Sequence, residues 1–269
     1  MSLMYHLKTT EKDVAPYVLL PGDPKRVPLV AGLWDEAKLI ADNREHVTYT
    51  GKYKGMPVSC TSTGVGCPST AIAVEELARC GAKTFLRMGT CAAIQDFLKP
   101  GDIAIFDSAC RYEGTSHRYV PPEYPAVAHH EIINASIQTA KRLNLTYYIG
   151  TARTSDALFA NRPEIDTSFN CYRRHDWDYF LSDLKQMKVL AGDMESSIIM
   201  ILSRLFGLRG GALCVCVTSL LKQHEEGNKF NYERDISYTP DNVEKLNMIA
   251  CETMYQVYLN DQKRDEQNI

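Results

Sequence analysis

The sequence predicts an α/β fold in which helices flank one central sheet. Strand-like and helix-like stretches alternate along the chain, which is typical of this class. The composition, with 45% hydrophobic and 23% charged residues, is that of an ordinary globular enzyme. Neither an internal repeat nor a clear linker divides the 269 residues, so we expect a single domain spanning residues 1–269.

The elements follow one another in a regular order. Apolar runs bounded by turn residues predict strands at 17–20, 57–63, 83–89, 102–109, 146–154 and 210–219. Apolar residues at helical spacing predict helices at 69–81, 131–143, 195–207 and near 241–259. In the first of these helices Ala71, Val74 and Leu77 share one face, and Gly81 suits the position just after the helix.

The segment at about 157–188 differs from the rest of the chain because it is polar, aromatic and only weakly periodic. A segment of this length inside a compact domain is often a lid or a binding loop. A solvated excursion without a role is the alternative.

Charge and composition exclude several classes of partner. The net charge of −3 gives no field that favours nucleic acid or an anionic membrane, and no apolar run reaches the roughly 20 residues of a membrane span. The N-terminal residues lack the apolar stretch of a signal peptide. The nine cysteines form no C-x-x-C pair and favour reduced thiols in a cytoplasmic protein. We expect neither a nucleic-acid nor a membrane partner, and no clustered zinc ligands.

Three motifs follow predicted strands, where α/β sheets bind their ligands. In "LLPGDPKR" a turn containing Gly22 precedes Arg26. In "STGVGCPST" two glycines allow close backbone approach, although such a pair is weak evidence alone. In "FLRMGTCAA" Arg87 lies near a strand end before Thr90. Two interpretations of Arg87 stay open, an internal ion pair and an oxyanion ligand. If Arg87 is an oxyanion ligand, we expect its replacement by alanine to weaken phosphate binding and nearly abolish activity, with little loss of stability.

A fourth motif, "GDMESS", places Asp193 and Glu195 just before an apolar helix. Acidic residues at this position can simply cap the helix and compensate its dipole. Alternatively, one carboxylate accepts hydrogen bonds from two neighbouring hydroxyl groups of a diol. A phosphate site beside a diol clamp describes a nucleoside or sugar-phosphate pocket.

Five motifs follow one another along the chain: "PGDPKR", "NRE" at 43–45, "TGVGCPSTAIAVEEL", "FLRMGT" and "DMES". Together they resemble the nucleoside phosphorylases of the uridine and hexameric purine type, and the resemblance is closest to the uridine phosphorylases. The resemblance implies one α/β domain with a mixed, partly barrel-like sheet. It also implies a pentosyltransferase that uses inorganic phosphate as co-substrate and needs no organic cofactor. Phosphate would cleave a nucleoside reversibly into free base and ribose 1-phosphate.

The resemblance assigns roles by position. Catalysis would depend on Arg87, Thr90 and Glu195. The phosphate ligands would be Gly22, Arg26, Arg44, Arg87 and Thr90, and the ribose ligands would be His6, Met194 and Glu195. Arg44 and His6 would reach a neighbouring subunit, which makes a homodimer the active unit, expected to assemble further into a hexamer. A potassium or sodium ion between subunits would lie at Glu45, Val65 and Ser69.

The base-side residues depart from the family pattern. Ala92 replaces the usual glycine beside Cys91, and the loop carries Arg162 and Glu164 after Phe159 where uridine phosphorylases have Gln and Arg. The purine-type acid corresponds to Thr218, and "HEEG" at 224–227 is a possible substitute. Uridine or a related pyrimidine nucleoside is the first choice of substrate, and a purine nucleoside the second. A nucleosidase is disfavoured by the three arginines, and a non-catalytic binding protein by the intact phosphate and ribose motifs.

Overall fold

Ten strands hydrogen-bond into one sheet in the computed structural model of the protein, which describes residues 2–159, 168–170, 172, 174–220 and 236–267. The strands are β1 Tyr17–Leu20, β2 Glu36–Asn43, β3 His46–Tyr53, β4 Met56–Thr61, β5 Thr84–Ala93, β6 Ile103–Tyr112, β7 Ala126–Val127, β8 Tyr147–Ser155, β9 Ala191–Asp193 and β10 Arg209–Ser219.

Six helices flank this sheet within the described ranges: α1 Arg26–Ala31, α2 Cys67–Arg79, α3 His130–Arg142, α4 Trp177–Gln186, α5 Ser196–Leu205 and α6 Pro240–Gln267. A single turn of 3-10 helix covers Ser116–Arg118. No helix in the part of the chain that the structure describes combines the length and the apolar character needed to span a membrane.

The sheet closes on itself along part of its width. Its order is β10-β6-β8-β9-β5-β1-β4-β3-β2, with β7 beside β6, and β10 also pairs with β5. Strands β5, β9, β8, β6 and β10 therefore form a closed ring of mixed direction, from which β1, β4, β3 and β2 extend. The predicted mixed, partly barrel-like α/β sheet is confirmed.

Parallel pairing of β1 and β5 brings two of the predicted motifs to one edge of the sheet. Strand β5 lies between β1 and β10 and runs parallel to both. In this register Leu20, the last residue of β1, is level with Arg87. The turn after β1 and the Arg87 region of β5 are therefore neighbours, as the sequence predicts for adjacent strands.

Helices α2 and α5 pack on the same side of β1 and β5. Their contact is apolar, because Val74 and Leu77 of α2 join Ile198 and Leu202 of α5 in one buried cluster with Phe85 of β5. Both helices begin near the edge where β1 ends, after the two glycine- and acid-containing motifs. The packing of these apolar faces thus fixes the positions of the N-terminal ends of both helices and of the polar residues there.

Several elements differ from the sequence prediction. The hairpin of β2 and β3, helix α1 and helix α4 were not predicted, because the exposed β2 shows no apolar alternation and the two helices are short. Strand β5 runs to Ala93 instead of ending at residue 89, because its last residues pair with β9 and β10. Arg87 therefore lies in the middle of its strand.

Candidate active site

The turn after β1 and the turn before α2 are joined by backbone hydrogen bonds. The Thr63 amide donates to the Pro21 carbonyl at 2.9 Å, and the Gly64 amide donates to the Gly22 carbonyl at 3.0 Å. This pairing extends the β1–β4 ladder beyond both strands. It holds the turn that precedes Arg26, the first residue of α1, beside the glycine-containing loop.

Gly64 is required by its backbone and by its neighbours. Its φ is +72°, and a Cβ atom there would lie 2.7 Å from Glu45 Cγ and 2.8 Å from Ser69 Oγ. The loop thereby brings together Glu45 and Ser69, whose hydroxyl donates to Glu45 Oε1 at 2.8 Å, while Val65 between them is exposed. Hydrogen bonds from its own backbone and from Ser69 lower the pKa of the Glu45 carboxyl.

Arg87 is buried and pairs with two carboxylates. Its Nε donates to Asp193 Oδ2 at 2.7 Å, and its Nη2 forms an ion pair with Glu195. Gly89 makes room for this arrangement, because a Cβ atom there would lie 2.7 Å from Nη2. Burial alone would lower the pKa of Arg87, but Glu195 and Asp193 outweigh it and hold the pKa above its ordinary value. The internal ion pair anticipated as one alternative is present.

Asp193 lies two residues before Glu195, the N-cap of α5, and its side chain accepts hydrogen bonds from the first residue of that helix. Its Oδ2 accepts from the backbone N–H of Ser196 at 2.9 Å and from the hydroxyl of the same residue at 2.6 Å. The Glu195 N–H donates to the same oxygen at 3.2 Å, and Thr154 Oγ1 donates to Oδ1 at 2.7 Å. With Arg87 added, both oxygens of Asp193 are engaged within the protein. The capping interpretation therefore holds for Asp193.

Glu195 is differently placed, because its hydrogen bonds link the site to a second loop. Its Oε1 accepts from the Gly66 N–H at 2.7 Å, and its Oε2 faces Arg87. Burial raises the pKa of this carboxyl, while the Arg87 charge opposes that effect. Each carboxylate oxygen has a second lone pair, so Glu195 can accept further hydrogen bonds. Met194, next to it, is only partly buried.

Arg26 has a partner that sequence analysis missed. Its Nε donates to the hydroxyl of Tyr238, 212 residues away, at 2.8 Å. The stretch "ISYTP" around Tyr238 carries no motif that would indicate this contact.

Arg44 and His6 lie together although they are far apart in sequence. Arg44 is exposed at the tip of the β2–β3 hairpin with φ +56°, and no ion pair to Asp42 or Glu45 holds it. The side chain of the preceding Asn43 donates to the backbone carbonyl of His6 at 2.6 Å. The hairpin tip and the N-terminal segment therefore present one common surface.

His6 is anchored on α2. Its Nδ1 lies 2.8 Å from Glu76 Oε1, and its N–H and that of Leu7 also donate to the Glu76 carboxylate. Burial would raise the pKa of Glu76, but hydrogen bonds from Leu7 and His6 lower it below its ordinary value. These contacts hold the N-terminal segment against α2 at His6 and Leu7.

The residues predicted to contact the base are the part of the site that the described residues cover least. Thr90 is half-buried on β5, Cys91 is enclosed in an apolar cluster, and Ala92 packs against the cluster that contains Leu181 and Leu184 of α4. Phe159 is 54% exposed. Arg162, Glu164 and residues 224–227 lie outside the described residues, and so does most of the first half of the 157–188 segment.

One group of potential metal ligands occurs in the described ranges, formed by Cys67, Glu113 and Asp156. Glu113 accepts from the Ser116 N–H at 2.9 Å and from Ser197 Oγ at 3.0 Å, and Asp156 accepts from the Gly114 N–H at 2.8 Å. These hydrogen bonds fix the loop after β6 and account for the two carboxylates.

Comparison with known proteins identifies the family. The model of the Phosphorylase superfamily matches residues 16–253. The chain belongs to this superfamily. The resemblance to nucleoside phosphorylases noted from the five motifs is thereby confirmed.

Individual members of the superfamily align over most of the chain. A uridine phosphorylase of Thermococcus kodakarensis is 47% identical over 214 residues, 79% of this chain and 76% of the relative. A guanosine phosphorylase of Halorubrum lacusprofundi is 35% identical over 91% of this chain and 95% of its own length. The crystal structure of uridine phosphorylase from Vibrio fischeri superposes with a TM-score of 0.80 at 29% identity, covering 95% of this chain and 98% of that one.

The buried pairing of Arg87 changes the expected effect of its removal. We expect Arg87→Ala to lower the free energy of unfolding by about 3–5 kcal/mol, because two buried carboxylates lose their counter-charge. This corrects the expectation from sequence of little loss of stability. Urea unfolding monitored by circular dichroism measures the effect, with the exposed Arg44→Ala as control. An Arg87→Ala midpoint equal to that of the wild type would contradict the role of the ion pair.

Proposed function

We propose that the protein is a uridine phosphorylase, which cleaves uridine reversibly with inorganic phosphate into uracil and ribose 1-phosphate. The observation that carries the proposal is the hydrogen-bonded cluster of Arg87, Glu195 and the Gly66 amide. In this cluster the arginine that we assign to phosphate forms an ion pair with the carboxylate that we assign to the ribose diol. The uridine phosphorylases among its relatives, at 47% identity for the archaeal one, support the same conclusion.

Phosphate binds at the edge where β1 and β5 lie side by side. Its ligands are Arg26, Arg87, the Thr90 hydroxyl and the backbone at Gly22. Arg87 suits this task because its Nε and Nη2 are engaged by Asp193 and Glu195, so the orientation of the guanidinium is fixed before phosphate arrives. Its Nη1 has no hydrogen-bond partner among the described residues and remains available to the anion.

The ribose lies between Glu195 and Met194. Glu195 accepts hydrogen bonds from the 2′- and 3′-hydroxyls, in addition to those from Gly66 and Arg87. A phosphate oxygen attacks C1′ and the C1′–N bond breaks, so the uracil leaves with the electron pair of that bond. Positive charge that develops on the ribosyl group is stabilised by the phosphate beneath it. Positioning and electrostatics therefore supply the catalysis, and no covalent nucleophile is needed.

The base contacts the loop at about 157–188, which we propose as a lid with Phe159, Arg162 and Glu164 as base-side residues beside Cys91 and Ala92. A purine nucleoside is the second candidate, favoured by the guanosine phosphorylase of Halorubrum lacusprofundi among the relatives. Against it, Thr218 stands where purine-type enzymes carry an acid, and it is 5% exposed. Retention of Arg26, Arg44 and Arg87 disfavours a nucleosidase, since water needs no cationic ligands.

The active unit is a homodimer, expected to assemble into a hexamer in the cytoplasm. Arg44 and His6 would complete a neighbour's pocket, and an exposed Arg44 that forms no ion pair with the described residues suits such a contact. A monovalent cation at Glu45, Val65 and Ser69 would bind beside this interface. The whole chain, residues 1–269, is then one catalytic domain.

Substrate choice is tested with a nucleoside panel. We expect release of free base from uridine only when phosphate is present. Release from guanosine and inosine should be slower, because Thr218 occupies the position where purine-type enzymes carry an acid. Liquid chromatography of the products gives base and ribose 1-phosphate in equal amounts. Base release at equal rates without phosphate would identify a nucleosidase, and faster cleavage of guanosine would select the purine alternative.

The diol contact is tested at Glu195. We expect Glu195→Gln to reduce kcat/KM for uridine by about 100-fold, since hydrogen bonds to a charged group contribute about 1.5–3 kcal/mol each. Activity on 2′-deoxyuridine, which lacks one of the two hydroxyls, should fall much less. Urea unfolding of the same variant controls for the lost ion pair with Arg87. Equal losses on both nucleosides would remove the diol role.

The shared pocket is tested by complementation. Arg44→Ala and Glu195→Ala are each expected to be inactive alone. In a mixed dimer, one pocket combines the intact Glu195 of one subunit with the intact Arg44 of the other. Random exchange of subunits should therefore restore about a quarter of wild-type activity. If native mass spectrometry shows mixed dimers and activity stays absent, Arg44 acts within its own subunit.

A further inference from the structure

Tyr238 makes two separate contacts with Arg26. The Arg26 Nε–H donates to the Tyr238 hydroxyl oxygen at 2.8 Å, and the guanidinium carbon lies 5.1 Å from the centre of the tyrosine ring. A cation within about 6 Å of an aromatic ring face is attracted by the ring electrons. The hydrogen bond and the ring thus act on the same guanidinium group.

These contacts leave the end of the guanidinium group open. Among the described residues, no hydrogen bond or ion pair engages Nη1 or Nη2 of Arg26, although the residue is only 8% exposed. The two Nη groups form the planar fork that fits two oxygens of a phosphate. With Nε occupied, Arg26 can approach an oxyanion only through this fork.

Tyr238 is itself held by its neighbours along the chain. The Ser237 N–H donates to the carbonyl of Val217 on β10 at 2.7 Å. The Asn242 side chain, in the first turn of α6, donates to the Ser237 carbonyl at 3.0 Å. Hydrogen bonds therefore hold the segment that carries Tyr238 against both strand β10 and helix α6.

We propose that Tyr238 is a positioning residue that fixes the Arg26 guanidinium for phosphate. The inference rests on the proposed function, in which Arg26 is a phosphate ligand. A long arginine side chain loses rotamer freedom when it binds an anion, and a partner that restricts it beforehand removes part of that cost. If Tyr238 instead competed with phosphate for Arg26, replacing Tyr238 would tighten phosphate binding.

The test measures phosphate binding directly. Isothermal titration of inorganic phosphate into the full chain without nucleoside gives Kd for the wild type, Tyr238→Phe and Tyr238→Leu. We expect Tyr238→Phe to raise Kd by about tenfold, because a hydrogen bond to a charged group is lost, and Tyr238→Leu to raise it further, because the ring is lost too. Tyr17→Phe is the matched control, since its hydroxyl donates to Asp261 at 2.6 Å on another part of the sheet.

Kinetics separate positioning from a general structural effect. In both Tyr238 variants the KM for phosphate should rise with Kd, while kcat at saturating phosphate and the KM for uridine stay within about twofold of wild type. Thermal unfolding shows whether each variant is folded. Unchanged or tighter phosphate binding in Tyr238→Phe would overturn the inference. Absence of uridine cleavage by the wild type would overturn the proposed function instead, because the phosphate titration contains no nucleoside.

Discussion

A buried arginine between two carboxylates is the interaction on which the rest of the site depends. Arg87 lies inside the barrel strand β5, where an unpaired charge would be strongly destabilising. Asp193 from β9 and Glu195 from the start of α5 supply the counter-charge. Strand β9 and helix α5 must therefore take up one arrangement relative to β5, and the loop before α2 follows because its Gly66 amide donates to Glu195.

The carboxylates of Asp193 and Glu195 differ in their hydrogen-bond partners. Asp193 accepts from Arg87, from the start of α5 and from Thr154, so it serves the framework alone. In Glu195, one oxygen accepts from the Gly66 amide and the other pairs with Arg87. Each oxygen has a further lone pair that can accept another hydrogen bond. The sequence alone leaves capping in competition with diol binding, and an ion pair in competition with an oxyanion ligand. The structure shows the hydrogen bond from the start of α5 to Asp193 and the ion pairs of Arg87, and the ligand contacts that we propose use other atoms of the same cluster.

Sequence predicted the parts of the fold that apolar patterning controls. Strands β1, β4, β5, β6, β8 and β10 leave a signal of apolar runs bounded by turn residues, and helices α2, α3, α5 and α6 leave a signal of apolar residues at helical spacing. The β2–β3 hairpin left none, since most of β2 is exposed. The sequence also brought Arg26, Arg87 and Glu195 together through motif order, but it could not reveal that Glu76 holds His6 or that Tyr238 holds Arg26. Those partners are separated by 70 and 212 residues and carry no local pattern.

The same separations govern when the site can appear during folding. Arg87 and Asp193 are hydrogen-bonded although 106 residues separate them in sequence, and Gly66 and Glu195 are 129 residues apart. Contacts of such range form late, because the loops between them must close before the contacts can stabilise anything. A fragment that ends before residue 193 lacks both carboxylates of this cluster. Regain of activity in a refolding experiment thus reports completion of the whole barrel, whereas helix content measured alone would report a much earlier stage.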